Sequence, residues 1–184
     1  MKRAIFFVCL VFCSSPAHAE TGVQFAAPGL NLPADPSVSG LRVSFLHGKN
    51  QRMRGLDLGI LSVSETSSFS GLAFVGGISR IHGSMSPGAC FSLVNYHSGN
   101  DSGVNGAFVN LLNDSAGAFT TGFVIIAKGT TGVDLGGFNM SASSTAQVGF
   151  INITKRIKSF QFGFVNMAEN GFLPIFPVFN FPKQ

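Results

Sequence analysis

The sequence has no tryptophan, one tyrosine and three cysteines, and only 11% of its 184 residues are charged, against ~25% in an ordinary globular domain. With 20 phenylalanines present, that poverty of charge excludes a disordered chain, which needs charge and lacks aromatic residues. Past the N-terminal segment no apolar run reaches the ~20 residues that carry a helix across a bilayer. Helical membrane spans are therefore excluded. His-Glu-x-x-His, Cys-x-x-Cys, Gly-x-Ser-x-Gly and a phosphate loop ending in Gly-Lys-Ser/Thr are missing too, so no motif names a reaction. Length alone gives one domain with enough chain to bury a core.

What is present begins with an address. Met1-Lys2-Arg3 supplies positive charge, Ala4 to Cys13 is a ten-residue apolar stretch, and Ala17-His18-Ala19 is a small-x-small cleavage site before Glu20. As a helix that stretch would span about 15 Å of a ~30 Å hydrocarbon core. It reads as a secretory signal peptide over 1–19, with a single mature domain over 20–184. Neither Cys9 nor Cys13 follows the small residue that lipidation requires. Cleavage leaves Cys90 alone, so no intrachain disulfide forms. It also removes Lys2 and Arg3, leaving ten basic residues against eight acidic ones. That balance gives no argument for nucleic acid.

The mature chain is a repeat. Phe162-Gly163-Phe164-Val165-Asn166-Met167 recurs in phase as Val148–Ile153, Leu135–Met140, Thr121–Ile126, Gly106–Leu111 and Phe91–Tyr96. Weaker copies lie at Val75–Ser79, Leu58–Ser62 and Val43–His47, a last unit at Phe176–Phe181, and a degenerate first one at Ala27–Leu32. With the Asn position as origin, spacings from His47 to Asn180 are 15, 17, 16, 15, 15, 14, 13, 14 and 14 residues. A fixed period of this kind marks a repeat architecture. The residue three before the origin is small, as at Gly59, Gly76, Gly122, Gly136, Gly149 and Gly163, and the origin itself is Asn95, Asn110, Asn139, Asn152, Asn166 or Asn180. Positions four and two before it are mostly apolar, and the position five before is polar: Arg42, Asp57, Asn105, Thr120, Asp134, Gln147, Gln161. In a strand of period two, one face is then apolar and ends in Asn, and the other starts polar. Each unit reads as one strand of about nine residues plus a turn rich in Gly, Asn, Asp and Ser.

These Gly-Phe-x-Asn units, closing in Phe176-Pro177-Val178-Phe179-Asn180-Phe181, resemble a family of small exported bacterial surface-repeat proteins. Its members carry Gly-x-x-x-Gly-apolar-x-Asn units of about fourteen residues, and most have no known activity. The resemblance implies an envelope or surface location and supplies no catalytic residue. Ser or His at the Asn position of the early units departs from the family pattern.

Two all-β architectures fit about ten such repeats. A parallel β-solenoid stacks like on like. An antiparallel meander closed into a small barrel removes sticky edges. A fourteen-residue coil encloses little room for the four or five bulky apolar side chains of each unit, whereas nine-residue strands match those of membrane barrels. The closed meander is therefore the expected fold, with bulky side chains filling its interior, and the solenoid its alternative.

For chemistry, His47, His82 and His97 read as turn or rim residues, Asp101 and Asp114 as turn formers, Cys90 as a small packed residue, and the recurring Asn as a structural cap. No catalytic residue, cofactor or metal site is expected. Two basic clusters, Lys49, Arg52 and Arg54, then Lys155, Arg156 and Lys158, stand in segments that read as turns. Besides solvated turns, they offer contact with an anionic lipid or lipopolysaccharide surface. The functional expectation is a non-enzymatic exported cell-envelope protein, an outer-membrane or surface-associated β-repeat scaffold, with self-association open. The alternatives are a secreted, soluble β-solenoid that binds a surface or self-assembles, and a lipid-binding barrel or an enzyme with a dispersed site.

Overall fold

The structure, a computed structural model, describes residues 20–114 and 119–183, and the leader read at 1–19 lies outside them. Seven strands form one sheet in the order β2-β1-β3-β4-β5-β6-β7: β1 Thr21–Ala27, β2 Leu30–Leu32, β3 Ser37–His97, β4 Asp101–Leu112, β5 Phe119–Val148, β6 Ile151–Ala168 and β7 Ile175–Asn180. A strand of 61 residues such as β3 cannot be one straight pass. It winds through successive coils of a parallel β-solenoid of about nine turns.

The closed antiparallel barrel is thus replaced by its alternative, and the register says why. Asn95 stands opposite Asn110, Asn110 opposite Ile125 and Asn139 opposite Asn152, all in parallel pairing. A constant phase places each Asn directly over the last only when coils run the same way. There the amides bond along the axis: Asn139 Nδ2 donates to Asn152 Oδ1 at 2.7 Å, and Asn152 Nδ2 to Asn166 Oδ1 at 2.8 Å. Antiparallel neighbours would set each Asn against the far end of the next unit and lose this ladder.

The expected packing is also inverted. The polar position is inside, since Gln24, Arg42, Asn105, Thr120, Asp134, Gln147 and Gln161 have no exposed surface, while the phenylalanines of the small-residue segment point outward. A coil this thin has no room for one Phe per turn. It accepts side chains that stack at the ~4.8 Å strand spacing and satisfy one another, as amide ladders do. Burial of polar groups is tolerated where they are hydrogen-bonded, as Arg42, Gln147 and Gln161 are, whereas Thr120 Oγ1 has no partner among the described residues. Alternation then slips at a corner, where Phe164 and Val165, like Phe150 and Ile151 a coil earlier, are both exposed. The slip returns the following Asn to the interior, although strict alternation put it on the Phe face. Among the described residues the larger apolar core lies in the N-terminal half, from Val38, Met53, Phe69, Val75, Ile81 and Met85, and a smaller one of Leu112 and Ala127 follows it.

Glycine columns hold the coils together. A Cβ built on Gly122, Gly149 or Gly163 would overlap the carbonyl oxygen of Ala107, Gly136 or Gly149 respectively, and one on Gly136 would stand 2.8 Å from that of Gly122. In a second column a Cβ on Gly40, Gly55 or Gly71 would overlap the carbonyl oxygen of Gly22, Gly40 or Gly55 respectively, with φ of +119° and +133° at Gly55 and Gly71. Gly76 does not take the small position assigned to it. Val75 is buried there, its Cγ1 against Gly59, and Gly76 lies exposed, because this unit carries one extra residue.

The first and last units are caps. Segment Ala27–Leu32 closes the antiparallel β1–β2 hairpin, and β7 runs antiparallel to β6, so Asn180 faces Gln161 instead of Asn166. Pairing also continues through Lys128–Thr131 and through both basic clusters, which lie within strands at exposed positions. Ser98–Asn100 and Glu169–Asn170 do lie between strands.

Candidate functional site

Chemistry-bearing side chains are gathered inside the coil. Arg42 Nε donates to Asp57 Oδ1 at 2.8 Å and Nη2 to Oδ2 at 2.5 Å, and Nη1 donates to Asn50 Oδ1. This bidentate pair is desolvated on both sides, a geometry that fixes register more than it adds stability. His97, expected at a rim, is fully buried with Nδ1 2.5 Å from Asp101 Oδ2. Asp101 begins β4 as its buried partner instead of forming a turn. His97 Nε2 and Asp101 Oδ1 have no hydrogen-bond partner among the described residues. Cys90 is packed as expected, its Sγ 3.0 Å from Ser79 Oγ. Burial pushes its thiol up to about 12 against that hydrogen bond, and the Asp57 and Asp101 charges add to the rise. Such a thiol is inert at neutral pH.

Above Asp134 an amide relay descends from the C-terminal cap. Asn180 Nδ2 donates to Gln161 Oε1, Gln161 Nε2 to Gln147 Oε1 at 2.8 Å, and Gln147 Nε2 to Asp134 Oδ2 at 3.3 Å. Burial holds the Asp134 carboxyl above the usual range, opposed by hydrogen bonds from Thr131, Gln147 and Ser144. Its Oδ1 has no partner among the described residues. The Asn ladder ties side chain to backbone as well: Asn110, Asn139, Asn152 and Asn166 each donate to the carbonyl four residues before the next origin, at Thr121, Val148, Phe162 and Phe176. Structural capping is thus its geometry. Among the described residues no cluster of three or more His, Cys, Asp and Glu is placed to hold a metal.

The outer surface is where the molecule can meet something else. Phe108, Phe123, Phe150 and Phe164 are 62, 54, 60 and 73% exposed, and they stack in pairs along the axis: Phe108 on Phe123 at 5.3 Å and Phe150 on Phe164 at 5.7 Å between ring centroids, within 7° of parallel. Phe74 and Phe91 continue the apolar face toward the N-terminus. Gly137 interrupts the column, and the Phe123 ring leans over it. Beside the column runs a groove of about 560 Å³, floored by Gly122, Gly136, Gly149 and Gly163 and walled by phenylalanines and Val148. Around the exposed corner, Met140, Ile153, Met167 and Ile175 line a second groove of about 430 Å³ with Lys155 and Glu169 at its edge. Contiguous apolar surface exposed to water is uncommon on a monomeric protein that nothing covers.

The two basic clusters do not meet. Lys49, Arg52 and Arg54 lie about seven coils from Lys155, Arg156 and Lys158, roughly 34 Å along the axis. Arg52 pairs with Glu20 at 3.4 Å. Sequence reasoning missed the outward phenylalanines as a surface. The available signal was the small residue between two bulky ones, which marks the inward slot of a thin coil. Comparison of the chain with protein-family models, with curated proteins and with solved structures finds no match.

Proposed function

We propose that this chain is a non-enzymatic, exported cell-envelope protein: a rigid β-solenoid scaffold that attaches to a surface through its apolar face. The observation that carries the reading is the inversion of the coil, polar ladders inside and stacked phenylalanines outside. Each Phe left outside forgoes about 1.5–3 kcal/mol of burial, which a surface covering that face would restore. Arg42, Asp57, Cys90, His97, Asp101 and Asp134 are inside and committed to one another or to the ladders, while at the surface Glu65 pairs with Arg80 at 2.8 Å, with His82 3.9 Å away. This supports a scaffold over an enzyme.

Capped ends bear on the second reading, a secreted solenoid that self-assembles. Antiparallel β2 and β7 close both ends of the stack, and Pro177 and Pro182 stand in and beside the terminal strand, devices that oppose end-to-end growth. Association through the face is what remains. The test is fractionation of a producing cell. The wild-type chain is expected in the envelope or surface fraction and the Phe150→Ser/Phe164→Ser variant in the soluble one. Wild-type protein found wholly soluble, alongside the variant, overturns the reading.

A further inference from the structure

Resting on that reading, we infer that the surface bound is a bilayer bearing anionic headgroups, met by the C-terminal half of the solenoid. Both grooves lie in this half, and so does its unbalanced charge. From residue 119 onward the chain carries Lys128, Lys155, Arg156, Lys158 and Lys183 against Asp134 and Glu169, and Asp134 is buried. In the N-terminal half the surface cations Arg52 and Arg80 pair with Glu20 and Glu65; Lys49 and Arg54 there, like Lys128, Lys155, Arg156 and Lys158 in the C-terminal half, form no ion pair among the described residues, so it is the excess of cations that sets the C-terminal half apart.

The cations flank the apolar ridge. Lys128 and Lys155 follow Phe123 and Phe150 by five residues each, in the same register on coils separated by the Leu135–Met140 unit, and Lys158 precedes Phe162 by four. At ~3.3 Å per residue of strand they stand about 13–17 Å of chain from the ridge on its two sides. A ridge of phenylalanine and valine or isoleucine entering ~5–10 Å into the acyl boundary would leave flanking ammonium groups at headgroup level. The ridge and the glycine-floored groove beside it carry no polar side chain of their own, so the apolar part supplies depth and the lysines supply the preference for negative lipid. A second copy of the chain fits less well, since apposed faces would bring the unpaired lysines of two molecules together.

The experiment is co-sedimentation of the mature protein with vesicles of phosphatidylcholine alone and of phosphatidylcholine with 30% phosphatidylglycerol, in low and high salt. Binding is expected to the anionic vesicles, weakening with salt. It should fall about fivefold for each lysine neutralised in Lys128→Gln, Lys155→Gln and Lys158→Gln, from the ~1 kcal/mol a cation gains near such a surface. Phe150→Ser and Phe164→Ser should each lower it about tenfold. All these positions are exposed or turned outward, and an unchanged far-UV spectrum and melting midpoint confirm that the fold is kept. Equal binding to both vesicle types overturns the anionic inference and leaves surface attachment standing. Salt-sensitive binding that ignores the Phe changes overturns the part given to the ridge. No vesicle binding, with a dimer in sedimentation velocity that Phe164→Ser dissolves, assigns the face to a second copy. A monomer that binds neither removes both this inference and the scaffold reading.

Discussion

A single methyl group tests the glycine column. Gly149 lies in the ordinary negative-φ region, so alanine there meets no backbone strain, only its neighbours. A Cβ at 149 would overlap the Gly136 carbonyl oxygen of the coil below and stand 2.6 Å from Asn139 Nδ2. Relief requires the coils to part or the amide to move. Parting is overpacking, at ~1–3 kcal/mol. Moving the amide takes the donor from Asn152 Oδ1 and Val148 O, which it now serves at 2.7 and 3.0 Å, and stranded buried acceptors cost ~1–3 kcal/mol. Gly149→Ala should therefore destabilise by about 3 kcal/mol, lowering Tm by roughly 6–12 °C for a chain of this length, and Gly149→Leu by more. Gly22→Ala is the control. Nothing stands within 4 Å of its added Cβ, so loss of unfolded-state freedom should make it neutral or stabilising by ~0.4–1 kcal/mol. Calorimetric melts of the two variants decide. A Gly149→Ala protein as stable as wild type would refute the close coil contact and the coupling of glycine to the Asn ladder.

Between Asn95 and Asn166 the ladder is interrupted at Ile125, and Asn139 Oδ1 in the coil above has no donor among the described residues. Ile125→Asn should restore the missing amide and hold or raise the urea midpoint, whereas Ile125→Ala, which leaves a cavity, should cost ~2–5 kcal/mol. Asp57→Ala strands the fully buried Arg42 and should cost ~3–5 kcal/mol by denaturant titration, with Arg42→Met/Asp57→Leu recovering much of the loss. Asp134 carries a raised pKa in the fold, so the native state holds its proton over a pH window in which the unfolded chain has released it. Stability should fall as pH rises from the unfolded value near ~3.9 up through the folded value. Asp134→Asn should flatten that slope in urea titrations across pH and be the more stable protein at pH 7. The Cys90 thiol should resist a thiol reagent at pH 8 until denaturant unfolds its coil; rapid labelling of native protein would contradict its burial.

The sequence by itself determined the period, the phase, the all-β class and the identity of the two columns, because Gly149 and Asn152 recur in place with their neighbours whatever sheet they enter. It also marked the polar residues of a third column, Asp134, Gln147 and Gln161. What it left open was direction and sidedness. Parallel and antiparallel stacks share one alternation pattern, and bulky apolar side chains in a strand are ordinarily core. Only the tertiary structure decided both, through the size of the coil: a turn of about fourteen residues has no volume for Phe123, Phe150 and Phe164, but it takes one amide per turn at a spacing that lets each bond the next. The corner between Phe164 and Asn166 was invisible for the same reason, since a one-residue slip in alternation is set by the closing of the coil and leaves no mark in composition. His97 and Asp101 came together inside because the break at Ser98–Asn100 turns both inward, a contact that neither residue's turn-forming preference foretold. The outward phenylalanine ridge and its flanking lysines are likewise products of the winding, which brings residues fourteen apart in the chain to ~4.8 Å in space.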